Sequence, residues 1–110
     1  MTNLSDLIAW IEAASGPDRA IDWAIHLRDG LEGVGMYGAH PAYTTSIDAA
    51  LTLVPEGYAY TIYGGDPNRK DSASLGRIPN PGELMADDYV GEGATPALAL
   101  CAAALKARQS

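Results

Sequence analysis

Gly93-Ala94-Thr95-Pro96-Ala97-Leu98-Ala99-Leu100-Cys101-Ala102-Ala103-Ala104-Leu105-Lys106-Ala107-Arg108 reads as one helix with both ends marked. Thr95 is a natural N-cap, and Pro96 suits the first helical position, where a missing N–H costs nothing. Lys106 and Arg108 fall in the last turn, where cations favour the helix dipole. Ala97, Leu98, Cys101, Ala104 and Leu105 form one stripe at helical spacing, so the expectation is a helix docked closely on a flat surface.

Upstream of this helix the period changes. Tyr58-Ala59-Tyr60-Thr61-Ile62-Tyr63 is rich in β-formers and alternates, which predicts a strand. Tyr58, Tyr60 and Ile62 share one face; Ala59, Thr61 and Tyr63 share the other. Gly64 to Ser74 reads as a polar turn region. Leu75 to Ile78 is a short second strand, stopped by Pro79-Asn80-Pro81-Gly82. Glu83 to Val90 is a weaker third, interrupted by Asp87-Asp88.

The N-terminal half is helical by its spacing. Leu4, Leu7, Ile8, Ile11 and Ala14 predict a helix over 4–15, ended by Gly16-Pro17. A second runs from Asp18 to about Arg28 with Ile21, Ala24, Ile25 and Leu27 inward. Residues 30–42, with Gly30, Gly33, Gly35, Gly38 and Pro41, lack periodicity and read as a loop. Ser46 caps a third helix over Ile47–Val54, with Ile47, Ala50, Leu51 and Val54 as its apolar face. Helices, then a small antiparallel sheet, then a helix define an α+β domain. At 110 residues it is a single domain spanning 1–110.

Composition narrows the partners. Seven basic side chains stand against fourteen acidic ones. Nucleic acid polymers and anionic membranes are therefore poor partners, because both rely on a basic surface. A small anionic ligand needs only a local basic patch. Cys101 lies on the apolar stripe and reads as a buried thiol. No apolar run approaches the roughly 18 residues that a membrane span requires. The opening segment is amphipathic and acidic, unlike a secretory leader, so the expected compartment is the cytoplasm.

Two stretches resemble a known family. Pro41-Ala42-Tyr43-Thr44-Thr45-Ser46-Ile47-Asp48-Ala49-Ala50-Leu51, followed by Leu53-Val54-Pro55-Glu56-Gly57, is similar to the small phage proteins of the ABA sandwich family. Glu92 to Leu105 resembles that family's C-terminal signature. With the Trp-containing N-terminal helices, the resemblance spans nearly the whole chain. It implies an α/β/α sandwich, a sheet with helices on both faces, encoded by phage or prophage and active in the bacterial host cell. It brings no recognised active site.

Catalytic and metal motifs are weak. His26 sits within the second helix and His40 in the glycine-rich loop. No G-x-S-x-G elbow accompanies them. One cysteine and two histidines lack metal-ligand spacing. Gly33-x-Gly35-x-x-Gly38 follows a helix instead of a strand, unlike a dinucleotide-binding turn. No cofactor is expected.

Two features remain as candidate ligand contacts. Tyr43-Thr44-Thr45-Ser46 gathers hydroxyls and backbone N–H groups at a helix start. The basic trio Arg69, Lys70 and Arg77 flanks the tyrosine-rich strand, with a tyrosine or Trp23 available to stack on a base. The candidate site is thus Tyr43 or Trp23 for stacking, with Thr44, Ser46, Arg69 and Arg77 for phosphate or ribose. The corresponding functional expectation is a non-catalytic phage protein that sequesters a nucleotide-derived host immune signal, such as a cyclic dinucleotide or an ADP-ribose derivative. By analogy with phage sponges of other folds, it is expected to form a homo-oligomer. A protein-interaction factor is the alternative, and a signal-cleaving phosphodiesterase relying on His40 is a third.

Overall fold

A computed structural model describes residues 4–29, 42–65, 67–78, 81–82 and 88–109, with backbone alone for 27–29 and 109. Its elements are α1 (Leu4–Ala13), α2 (Arg19–Asp29), α3 (Ile47–Leu51), β1 (Tyr58–Tyr63), β2 (Asp71–Arg77), β3 (Tyr89–Gly93) and α4 (Pro96–Gln109). Among the described residues this is an α+β fold of four helices and one antiparallel sheet, ordered β1-β2-β3. His40 and the glycine-rich loop from Gly30 to Pro41 lie outside the described residues, as does most of the third strand expected over Glu83–Val90.

The C-terminal helix is the centre of the molecule. Thr95 caps it as expected, its Oγ1 accepting from the Leu98 N–H at 3.2 Å. A docked stripe is only part of what it buries. Every side chain from Ala97 through Leu105 is buried, on all sides of the helix. The reason is position: α4 packs on all three strands, and α1 and α3 pack on α4. A helix apolar all round is stable only when enclosed in this way.

Close docking needs a surface without side chains, and β3 supplies it. Gly91 and Gly93 share a sheet face with Ala73 of β2, since Ala73 pairs with Gly91 and Asp71 with Gly93. A methyl group on Gly91 would fall 2.5 Å from Ala99 O and 2.8 Å from Ala102 Cβ. On Gly93 it would fall 2.8 Å from the Ala99 nitrogen. Small residues on both partners let the helix backbone rest directly on the strand. Leu75, on the same face, is fully buried beneath the helix.

The layers therefore run sheet, then α4, then α1 and α3, with α2 packed on α1. α4 covers one face of the sheet, and α1 meets the sheet at β3.

Three boundaries differ from expectation by more than two residues. β2 begins at Asp71, four residues before Leu75, because its polar first half pairs in register with β1, Tyr63 opposite Ser72 and Ile62 opposite Ala73. Tertiary pairing overrides the low strand propensity of Asp and Ser. The described part of β3 starts only at Tyr89 and runs through two glycines that local propensity disfavours. α3 stops at Leu51; Thr52 donates its N–H to Ala49 O, and tighter turns at Leu53 and Val54 follow. Leu53 enters the core in consequence, while Ile47 stays exposed.

The two cations expected to complement the dipole of α4 act as ties. Lys106 Nζ donates to Glu12 Oε2 at 3.0 Å and to Val90 O at 2.7 Å. Arg108 Nε donates to Leu53 O at 2.6 Å. Among the described residues no helix is long and apolar enough to cross a membrane.

Candidate functional site

The residues singled out at the start of α3 are occupied by the fold. Tyr43 is 1% exposed and lies in the core. Its carbonyl oxygen accepts from the Cys101 thiol at 3.2 Å. Thr44 is fully buried: its backbone N–H and its hydroxyl both donate to Asp22 Oδ1 at 2.8 Å, and its Oγ1 accepts from the Asp18 N–H at 2.9 Å. Arg19 closes the cluster at 3.3 Å from Asp22 Oδ2. This polar knot fastens α2 to the turn ahead of α3 and satisfies a carboxylate that burial would otherwise make costly. Ser46 is the N-cap of α3, accepting from the Ala49 N–H at 3.3 Å.

Burial also acts on Cys101. Desolvation, with the Asp22 charge as a smaller contribution, pushes its thiol far above the usual range, so it stays protonated. A buried, protonated thiol is inert, as its place on the apolar helix suggests.

Trp23 is about two-fifths exposed and lies beside His26, with ring centroids 5.7 Å apart. Both belong to α2, which packs on α1 and touches no strand. Trp23 and the basic trio are therefore not brought together.

The trio itself divides. Arg77 stands at the far end of β2, opposite Tyr58, and its backbone N–H donates to Asp88 Oδ2 at 3.3 Å. Arg69 and Lys70 lie at the other end, in the β1–β2 turn, and there they line an open pocket of about 390 Å³ with Tyr63, Gly64, Ser72 and Glu92. The floor is one rung of the sheet: Ser72 pairs with Tyr63 on one side and with Glu92 on the other. Directly opposed residues point to the same face, so an aromatic ring, a hydroxyl and a carboxylate stand side by side.

The turn is shaped by Gly65, whose φ of 95° favours a residue without a side chain, and whose N–H donates to Asp71 Oδ1 at 3.4 Å. Lys70 Nζ donates to Glu12 O, at the C-terminal end of α1, at 2.5 Å. Glu12 also accepts the Glu92 N–H on Oε2 at 3.1 Å. The pocket wall is thus braced from behind by α1, with Lys70 engaged and Arg69 exposed at the rim.

Tyr63, Ser72 and Glu92 were not singled out by the sequence reading. The usable signal was register: a β2 that starts at Asp71 sets Ser72 across from Tyr63, whereas one that starts at Leu75 leaves that rung empty. Among the described residues no cluster of three histidine, cysteine, aspartate or glutamate side chains is placed to hold a metal ion. No family model matches this chain, and neither a curated protein nor a solved structure matches it.

Proposed function

We propose that this protein is a non-catalytic binding module that captures a small nucleotide-derived anion at the Tyr63–Arg69 pocket. One observation carries the reading: in a chain of net charge −7, two cations gather beside an aromatic ring and a hydroxyl on one sheet rung. Arg69 is the phosphate ligand, forming charge-assisted hydrogen bonds in a fork. Tyr63 offers a stacking face for a base, and it is 55% exposed. Ser72 and Glu92 accept hydrogen bonds from ribose hydroxyls or an exocyclic amine. The pocket volume of about 390 Å³ falls within the range of small-ligand sites, roughly 300–1,000 Å³.

The resemblance to phage ABA sandwich proteins extends the proposal to a biological role, the sequestration of a nucleotide-derived immune signal in the host cell. Arg77, Trp23, Tyr43, Thr44 and Ser46 take no part in this form of the proposal.

The test is a thermal-shift panel against cyclic dinucleotides and ADP-ribose derivatives, with mass spectrometry of the ligand before and after. A ligand that binds only the folded chain raises its melting temperature. Stabilisation with intact ligand supports capture, and ligand conversion makes the protein an enzyme. The absence of any shift transfers support to the protein-interaction reading. Arg69→Ala is expected to weaken capture by about 1.5–3 kcal/mol, the worth of a hydrogen bond to a charged group.

A further inference from the structure

The pocket at the β1–β2 turn holds both signs of charge. Arg69 and Lys70 line it together with Glu92. Lys70 is engaged, its Nζ donating to Glu12 O. Among the described residues the Arg69 guanidinium makes no hydrogen bond or ion pair, and the Glu92 carboxylate makes none either. Cation and carboxylate share the pocket without closing on each other, so both remain open to a ligand.

The sheet explains the separation. Tyr63 and Glu92 flank Ser72 on one rung. Neighbouring strands are about 4.8 Å apart, so the roots of Tyr63 and Glu92 stand roughly 10 Å from each other across Ser72. Alternation sends all three to the face opposite Ala73 and Gly91, which α4 covers. Arg69 enters from the turn that joins β1 to β2. The root of Glu92 is also fixed: its N–H donates to Glu12 Oε2, and Glu12 is paired with Lys106 at 3.0 Å. The backbone that carries the carboxylate is thereby tied to α1 and, through Lys106, to α4.

A ligand that is anionic throughout would be repelled by Glu92. One with a phosphate at one end and hydrogen-bond donors at the other satisfies both walls. An ionised carboxylate only accepts, through two oxygens side by side. Among the four common nucleobases, guanine is the one whose Watson–Crick edge offers two adjacent donors, the N1–H and the N2 amine. Adenine and cytosine set an amine beside an acceptor nitrogen, which would meet the second carboxylate oxygen lone pair to lone pair. Uracil sets a single N–H between two carbonyls.

We propose that Glu92 is the specificity-determining residue of this pocket and that the captured ligand carries guanine. The inference rests on nucleotide capture at the Tyr63–Arg69 pocket and narrows the ligand class proposed there. The base lies over Ser72 with the Tyr63 ring as its stacking face, its Watson–Crick edge on Glu92 and its phosphate on Arg69.

Isothermal titration of the full chain with guanosine, inosine and adenosine monophosphates (GMP, IMP and AMP) tests this. The three share ribose and phosphate, so their differences report on the base. IMP keeps the N1–H and lacks the N2 amine. Wild type is expected to bind GMP at least about tenfold more tightly than AMP, with IMP between them. Glu92→Gln exchanges one accepting oxygen for an amide donor, the pattern that pairs with an amine beside a ring nitrogen, as adenine presents. The variant is expected to lose the GMP preference and to bind AMP more tightly than wild type does. A chain that folds badly cannot gain affinity, so the gain separates recognition from stability. Equal affinity of wild type for GMP and AMP overturns guanine selection and leaves nucleotide capture standing. A GMP preference that Glu92→Gln leaves unchanged does the same, because the variant then reports lost charge alone. If none of the three binds, the inference falls; capture itself falls only if the wider nucleotide panel gives no stabilisation either.

Discussion

The seam between α4 and β3 and the corner made by the β1–β2 turn are built from opposite materials. At the seam Gly91, Gly93, Ala99, Ala102 and Ala103 present almost no side chain, and every α4 residue from Ala97 to Leu105 is buried. At the corner Tyr63, Arg69 and Lys70 present long side chains to solvent on a turn that Gly65 bends. The first region has no freedom to do anything but hold the fold. The second contributes little to the fold and so is free to meet a ligand, as loops carried on a rigid scaffold commonly are.

The sharpest way to break that contrast is at the seam. Gly91→Val forces a branched side chain onto the α4 backbone, where no rotamer offers escape. Overpacking typically costs about 1–3 kcal/mol, and a clash with backbone belongs at or above the upper end. Urea unfolding is expected to show a loss of about 3 kcal/mol or more. A wild-type midpoint would mean that helix and strand stand further apart than described.

The Asp22–Thr44 knot is next. Asp22→Ala leaves the Thr44 N–H buried without its acceptor, while the hydroxyl keeps the Asp18 carbonyl at 3.2 Å, at a cost of about 1–3 kcal/mol. Arg19 is mostly exposed and adds little to this figure. The expected readout is a lower urea midpoint with a near-native spectrum, and an unchanged midpoint would show that water replaces the carboxylate.

Legibility in the sequence divided along the same line. Thr95, Pro96 and the apolar run after them fixed α4 correctly, because caps and periodicity are local signals. Enclosure of the helix on all sides was not local. It depends on Gly91 and Gly93, residues of low strand propensity that lie beyond the end of the strand expected over Glu83–Val90. Tyr43 and Thr44 looked like ligand contacts because hydroxyls at a helix start bind anions and cap helices with equal ease. What separates the two uses is Asp22, distant in sequence and identifiable only once α2 is folded against the turn. The basic pair at residues 69 and 70 was visible as composition, whereas its association with Tyr63 required the β1–β2 register.

A smaller effect is expected from pH at the seam's buried face. The Cys101 thiol has its pKa raised in the folded chain by desolvation, from an ordinary value of 9.0. The unfolded chain then releases its thiol proton at a pH where the native chain keeps it. The stabilisation is complete below that ordinary value and declines as pH rises above it. Between pH 9 and 10 the loss attributable to Cys101 is about 1 kcal/mol. Comparing wild type with Cys101→Ala across that interval isolates it from tyrosine and lysine titration. Parallel stability curves would remove the thiol from the account.

The smallest expected effect on stability is at the corner. Arg69 is exposed, and its loss should change the unfolding free energy by less than about 0.5 kcal/mol. Arg77→Ala, at the other end of the same strand, should be equally mild. The two variants separate only in ligand capture, where Arg69→Ala is expected to lose at least tenfold and Arg77→Ala to match wild type, since about 1.4 kcal/mol is a factor of ten in affinity. Equal losses would mean that the ligand senses the net charge of the strand instead of the corner. A loss confined to Arg77→Ala would move the site to the opposite end of β2. If Arg69→Ala alone fails while keeping a wild-type melting temperature without ligand, binding and folding are carried by separate parts of this chain.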